Sequence, residues 1–507
     1  MPAANVPNLC ETLLDDALEA GMRDTVAIRE PKRGWTYGRL AEEVGRVASM
    51  FLDMGLVPGE RVGLLLHDSL ELAATFLGAV RAGLVPTPIS VLLRPLEIRD
   101  LLRDAGAVAV VAHADLAPAI EAVRKEVPSL RSLLAVGGAR PGQLDLHALL
   151  SEADADFFPV RRPADAPAFL LYSGGPQGPR RGVPHRHESP MLAFRAYAES
   201  VLALGPTDRV FTTSSLASAF GLGLGLLFPL LARGSTFLLP GRPRPAVVFD
   251  VMSAFQPTVF AATPSLYAQL VHDYRAMPAP RPACFSSVRA AVSGAEALPS
   301  ALDQRFFATF GQPLLHGFGA TEALHFVLSN RPDARRDGST GRLLPGFSAR
   351  VVGDEGEELG KHEIGFLEIS GPTIGDGGSG WLRSGDRFFT DEEGFFFHCG
   401  RSDDLFKVSG RWVAPEEVER TLREHPAVWE CAVIEGHDDD GLARPVAYVV
   451  PNVGHAPTFE LGQDLMSFVK REIAPYKYPR QVEFVNELPR ASDGRIQRWR
   501  LGRSKRT

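Results

Sequence analysis

Short apolar runs alternating with helical patterns constrain this chain more than any other feature. Through the first two-thirds, "RVGLLL", "AVAVVA", "AFLLYS", "STFLLP", "TVFAATP" and "VRAAVSG" read as strands, separated by stretches such as "SLELAATFLGAVRAG" with helical spacing. Continuously apolar strands joined by helices predict parallel sheets covered on both faces. After about Gly341, "ARVVGDEGEELGKHEIGFLEISG" alternates like antiparallel strands around turn residues. A further unit begins near Asp403: "VAPEEVERTLREHPAV" reads as a helix, "VWECAVIEG" and "ARPVAYVV" as strands, and "ELGQDLMSFVKREI" as another helix. The expected domains are residues 1–402 and 403–507.

A chain of 507 residues exceeds what one hydrophobic core usually serves, consistent with two domains. A net charge of -7 argues against a nucleic-acid surface, which depends on clustered positive charge. Cys10, Cys284, Cys399 and Cys431 are scattered without metal-ligand spacing, as expected of reduced thiols in a cytoplasmic protein. The stretch from Val210 to Ala232 carries no formal charge and is long enough to cross a bilayer. Its serines, threonines, repeated glycines and Pro229 instead predict buried structure lining a pocket.

Six motifs follow in order: "YSGGPQGPRRGV" from Tyr172, "SGAEALP" from Ser293, "GFGATE" from Gly317, "SGDRF" from Ser384, "GRSDDLFKVSG" from Gly400 and "PRASDGRIQR" ending at Arg498. Each alone is an ordinary glycine turn or helix start. As an ordered set, running from "WTYGRL" to "APYKYPRQVEFVNELPR", they resemble the adenylate-forming superfamily of acyl-CoA synthetases, adenylation domains and luciferases. The similarity is strongest to the aryl-CoA ligase branch typified by benzoate-CoA ligase. Pattern and resemblance together predict an α/β fold. Its large N-terminal domain would hold two helix-covered sheets and a small β-barrel-like subdomain, followed by a small mobile α+β C-terminal domain.

The resemblance implies roles for particular residues. Gly294, Ala295 and Glu296 would frame adenine with their backbone, and Phe318 would stack on it. Gly317, Gly319 and Ala320 would bring the backbone up to the acyl adenylate, Thr321 would offer a hydroxyl to its phosphate, and Glu322 would hold magnesium. The alternative for Thr321 and Glu322 is a capped helix start. Asp386 would accept the two ribose hydroxyls with Arg401 as a second contact, and Asp403 would be the hinge. Ser409, Gly410 and Arg411 would line the pantetheine tunnel when one wall of the site is exchanged between half-reactions.

Two motifs depart from the family pattern. Where members read like "YSSGSTGRPKGV", this loop keeps Gly175, Gly178 and Gly182 after Ser173. Gly174, Pro176 and Gln177 stand in place of hydroxyl-bearing residues, and Arg181 replaces the usual Lys. In "DGRIQR", Arg495 stands where a Lys bridges carboxylate and phosphate, and its wider planar fork grips different atoms. Both changes fall on adenylation. They predict an acyl-CoA ligase specialised for thioesterification, which transfers the acyl group of an adenylate made by a separate enzyme to CoA. The alternatives are a complete ATP-dependent ligase in which both arginines serve, and a degenerate adenylate-binding regulatory protein. Ala217 and Ser218 are small where aromatic-CoA ligases tend to carry rings. They predict a bulky apolar acid bounded by Ser218, Ala219, Phe220, Gly294, Gly319, His325 and Phe326.

Overall fold

The strands that precede the motifs assemble chiefly into two sheets. The computed structural model describes residues 5–173, 180–279, 281–375, 380–401, 406–408, 411–438, 442–474, 476–490 and 496–501. One sheet has five parallel strands, in the order Val85–Pro88, Arg61–Leu65, Ala109–His113, Ser132–Val136 and Leu144–Asp145. The other has nine. Its centre is parallel, running Leu314–Gly319, Ala290–Ser293, Val259–Ala262, Arg209–Thr212, Ser235–Phe237 and Val26–Arg29, and its edges turn antiparallel. These strands are β-branched, aromatic or Ala-rich and buried on both faces, as a helix-covered sheet demands.

One expected strand behaves differently. "AFLLYS", read as part of a parallel sheet, forms Pro167–Ser173 and pairs antiparallel with Arg181–Arg186 in a hairpin. Its apolar run, buried against the five-stranded sheet, carries no mark of partner direction. The uncharged stretch from Val210 divides into the strand Arg209–Thr212 and short helical segments between Ala219 and Leu231, nearly all buried. Among the described residues, no helix is long and apolar enough to cross a membrane.

Four antiparallel strands follow: Ser348–Val352, Gly365–Ser370, Leu382–Thr390 and Phe396–Arg401. The C-terminal α+β domain has its own core. Val418, Leu422, Val433, Ala447, Leu465 and Val469 join two helices, Pro415–Glu424 and Phe459–Glu472, to the sheet Val428–His437, Ala443–Pro451 and Gln481–Phe484.

Candidate active site

Parallel strands present all their C-terminal ends at one edge, and loops leaving that edge converge there. From the nine-stranded sheet emerge Ser214 to Ser218, Thr263 to Ser265, Gly294 to Pro299 and Ala320 to Leu324. Ser218 and Thr263 are N-caps, accepting from the backbone N–H of Gly221 (3.1 Å) and Leu266 (3.4 Å). Such caps anchor the loop-to-helix turns by about 1 kcal/mol each. The five-stranded sheet contributes Asp68, which sequence reasoning missed. Its carboxylate accepts from the N–H of Leu216 (3.1 Å) and the hydroxyl of Ser215 (3.3 Å), clamping the loop that carries Ser218. Burial raises the Asp68 carboxyl to about 7 despite these bonds.

The expected acyl-pocket residues gather around one aromatic cluster. Phe220 and Phe326 stack with centroids 5.3 Å apart, and Tyr197 meets Phe326 edge-on at 4.9 Å. His325 packs against Tyr197 at 5.0 Å and Phe228 at 4.8 Å. Burial lowers the His325 ring to about 3, so it is neutral, and among the described residues neither nitrogen has a hydrogen-bond partner. Glycine is obligatory at two neighbouring positions. A Cβ on Gly317 would lie 2.3 Å from the Phe326 ring, and one on Gly319 would lie 2.2 Å from the His325 carbonyl oxygen. Ala219 packs beside the cluster, whereas the Ser218 hydroxyl is already engaged by Ser215 and Gly221.

Among the residues expected to hold the nucleotide, Phe318 stays partly exposed. Its ring meets Phe388 edge-on at 5.0 Å and lies parallel to His398 at 6.2 Å. Thr321 and Glu322 begin a single 3-10 turn, Thr321–Ala323. Among the described residues no side chain caps it, so the alternative of a capped helix start is not met. Ala295 is held at φ +68, and the Glu296 carboxylate accepts from the Ser265 N–H (3.0 Å) and hydroxyl (2.6 Å), fixing the "SGAEALP" loop. Asp386 and Arg401 are registered partners across antiparallel strands, so the backbones of both ribose candidates lie opposite each other. His398, absent from the sequence reading, bonds Asp386 Oδ1 through Nε2 at 3.0 Å.

The C-terminal domain reaches this edge. Arg490 donates to Ser265 Oγ at 3.0 Å and pairs with Glu430, and Arg490 also forms an antiparallel bridge with Ile496. Arg498 donates to Glu419 at 3.0 Å, tying down the end of the motif. Arg495 itself, Asp403, Ser409, Gly410 and the loop Gly174, Gly175, Pro176, Gln177 and Gly178 lie outside the described residues, as do the side chains of Arg401 and Arg411. The phosphate loop's ends are placed: Ser173 and Arg181 pair at the mouth of the hairpin.

Residues 14–377 match the family model for the AMP-binding enzyme, and residues 417–495 match the AMP-binding enzyme C-terminal domain. The chain belongs to the AMP-binding enzyme family. Benzoate–CoA ligase of Thauera aromatica is 36% identical to it over 99% of this chain and 97% of that protein. The crystal structure of the anthranilate CoA ligase AuaEII in complex with anthranoyl-AMP matches this AMP-binding enzyme with a TM-score of 0.92 at 33% identity, covering 98% of this chain and 96% of that one. A benzoate CoA ligase from Burkholderia xenovorans LB400 matches with a TM-score of 0.89 at 33% identity, covering 98% and 100%. This AMP-binding enzyme therefore lies in the benzoate/aryl-CoA ligase branch of the adenylate-forming superfamily.

Proposed function

We propose that this chain is an ATP-dependent, AMP-forming ligase that joins an aromatic carboxylic acid to CoA. The observation that carries this reading is the seat of Arg490 on Ser265, itself bonded to Glu296. It sets Arg490, at the start of the "PRASDGRIQR" segment, against the loop assigned to adenine, which supports a reading in which that segment supplies positive charge for adenylation. The likeness to an anthranilate ligase holding its acyl-adenylate supports the same reading.

In the first step a carboxylate oxygen attacks the α-phosphorus of ATP. The bond to the bridging oxygen breaks and pyrophosphate leaves. Arg495 would neutralise charge between carboxylate and phosphate, and Thr321 would donate to the phosphate. Asp386 and Arg401 would hold the ribose, and Phe318 the adenine. Glu322, a partly exposed hard oxygen donor beside Thr321, fits a magnesium ion that would offset phosphate charge. In the second step the CoA thiol loses its proton to water, its sulfur attacks the carbonyl carbon, and AMP leaves. Ser409, Gly410 and Arg411 would line the thiol's approach after the C-terminal domain, beginning at Asp403, turns about that residue. His325 and the rings of Phe220 and Phe326 favour an aromatic acyl group. We place the reaction in the cytoplasm, in keeping with free thiols at Cys10, Cys284, Cys399 and Cys431.

A second reading rests on the phosphate loop, where Gly174, Pro176 and Gln177 remove hydroxyls, and on Arg495 in place of Lys. It is a ligase confined to thioesterification, fed with adenylate by a separate enzyme. A paired assay separates the two. Benzoate, anthranilate and bulkier acids are offered with ATP and CoA, and pre-made acyl-adenylates with CoA alone. Comparable thioester formation in both arms supports the complete ligase. Thioester from adenylate only, with pyrophosphate release gained by Arg495→Lys plus a Ser/Thr-rich loop, supports the second reading. Binding of adenylate with no thioester in either arm overturns both and leaves a regulatory binder.

A further inference from the structure

An irregularity in one strand pair puts a charged group where regular pairing would not. Asp386 faces Arg401 and Phe388 faces His398, so two steps on one strand are matched by three on the other. The extra residue is a bulge, and Gly400 beside it takes φ +102, a conformation that favours glycine. Without the bulge, Cys399 would face Phe388 and His398 would point to the opposite face. With it, His398 shares the face of Asp386. The ring donates through Nε2 to Asp386 Oδ1 at 3.0 Å and through Nδ1 to Glu416 Oε2 at 2.9 Å. Glu416 lies in the first turn of Pro415–Glu424, in the C-terminal domain.

The surroundings favour a protonated ring. Burial opposes the charge, but the carboxylates of Glu416 and Asp386 outweigh it and raise His398 to about 10. Burial also works against the Glu416 carboxylate, yet His398, Arg498 and Arg423 lower it to about 2. A further titratable neighbour, His316 on Leu314–Gly319, is lowered to about 4 by burial and by His398, and so stays neutral. The rings of Phe318 and Phe388 complete the enclosure. One cation thus serves two carboxylates, one assigned to the ribose and one on the other domain.

We propose that His398 is a positioning residue for the nucleotide: it orients Asp386 for the ribose hydroxyls and, through Glu416, makes that orientation depend on how the C-terminal domain is docked. The inference rests on the nucleotide reading of the site proposed above, but not on which half-reaction the enzyme performs. AMP is a sufficient probe, because it carries the ribose and needs neither pyrophosphate nor CoA. A chain that binds AMP but forms no thioester would fail the ligase reading and leave this inference standing.

The experiment is AMP titration by calorimetry of the full chain and its His398→Phe, Glu416→Gln and doubly substituted variants, each checked for a cooperative thermal transition. Phenylalanine keeps the ring packing and removes both donors. Losing a hydrogen bond to a charged group predicts that His398→Phe raises the Kd for AMP about ten-fold or more. Glu416→Gln, away from the nucleotide, should raise it less. The double variant should match His398→Phe, because both changes act through one linkage. In the unmodified chain AMP affinity should fall as the ring loses its proton near pH 10, and Glu416→Gln should move that fall to lower pH. If His398→Phe folds and binds AMP within two-fold of the unmodified chain, or if the two substitutions add independently, the proposal is overturned.

Discussion

Gly294 and Phe326 compete for one space: a Cβ on Gly294 would lie 2.6 Å from Cζ of Phe326, with the Phe220 ring a further 3.2 Å contact. The loop assigned to adenine and the wall assigned to the acyl group are therefore packed directly together. Neither can shift without the other.

Gly294→Ala should push the Phe326 ring off its position. Overpacking of this kind costs roughly 1–3 kcal/mol, so if that cost falls on the bound state, kcat/KM for the aromatic acid should fall about 5- to 150-fold. Steady-state kinetics across a series of acids, with circular dichroism to confirm folding, would check this. Unchanged kinetics would remove Phe326 from the acyl wall.

Asp386→Asn keeps the shape but loses a charged acceptor. A hydrogen bond to a charged group contributes about 1.5–3 kcal/mol, so the KM for ATP should rise at least about ten-fold. The KM for CoA should hold. An equal rise in both would mean that Asp386 serves the fold and not the ribose.

Ser265→Ala removes the hydroxyl that receives Arg490 and donates to Glu296. Pyrophosphate release should drop about ten-fold, the cost of a charge-assisted contact. Thioester formation from supplied adenylate should change little if, as proposed, the C-terminal domain turns between the two steps. Equal losses in both steps would show that this seat is not specific to adenylation.

Asp68→Asn tests the clamp on the Ser215 to Ser218 loop through pH. The folded carboxyl at about 7 lies above its ordinary value of 3.8, so between those values the folded chain holds a proton that the unfolded chain has released. This contribution is fully present below about pH 4 and is lost as pH rises through 7. The melting temperature of Asp68→Asn should therefore gain on the unmodified chain from pH 4 to 7, then run parallel above it. A constant difference across that range would show that Asp68 does not titrate as its burial implies.

The chain's local patterns carried much of this. Alternating apolar runs and helical spacing determined two helix-covered sheets, a change to antiparallel strands after Gly341, and an α+β C-terminal domain. These depend on neighbours in sequence. The motifs "SGAEALP" and "GFGATE" put Gly294, Phe318 and Thr321 at or just after the C-terminal ends of parallel strands, while "SGDRF" put Asp386 within a strand of the four-stranded antiparallel sheet.

Only the tertiary structure decided the rest. The direction in which Pro167–Ser173 pairs and the bulge that turns His398 toward Asp386 depend on strand partner and register, and the reach of Asp68 to Leu216 and the seat of Arg490 on Ser265 join residues far apart in the chain. Glu416 and Asp68 sit in ordinary helix-start contexts, and a histidine two residues before "GR" carries no local signal. Strand partner and register follow from which apolar faces bury best against each other. That balance is struck by the whole core, and no short window of sequence contains it.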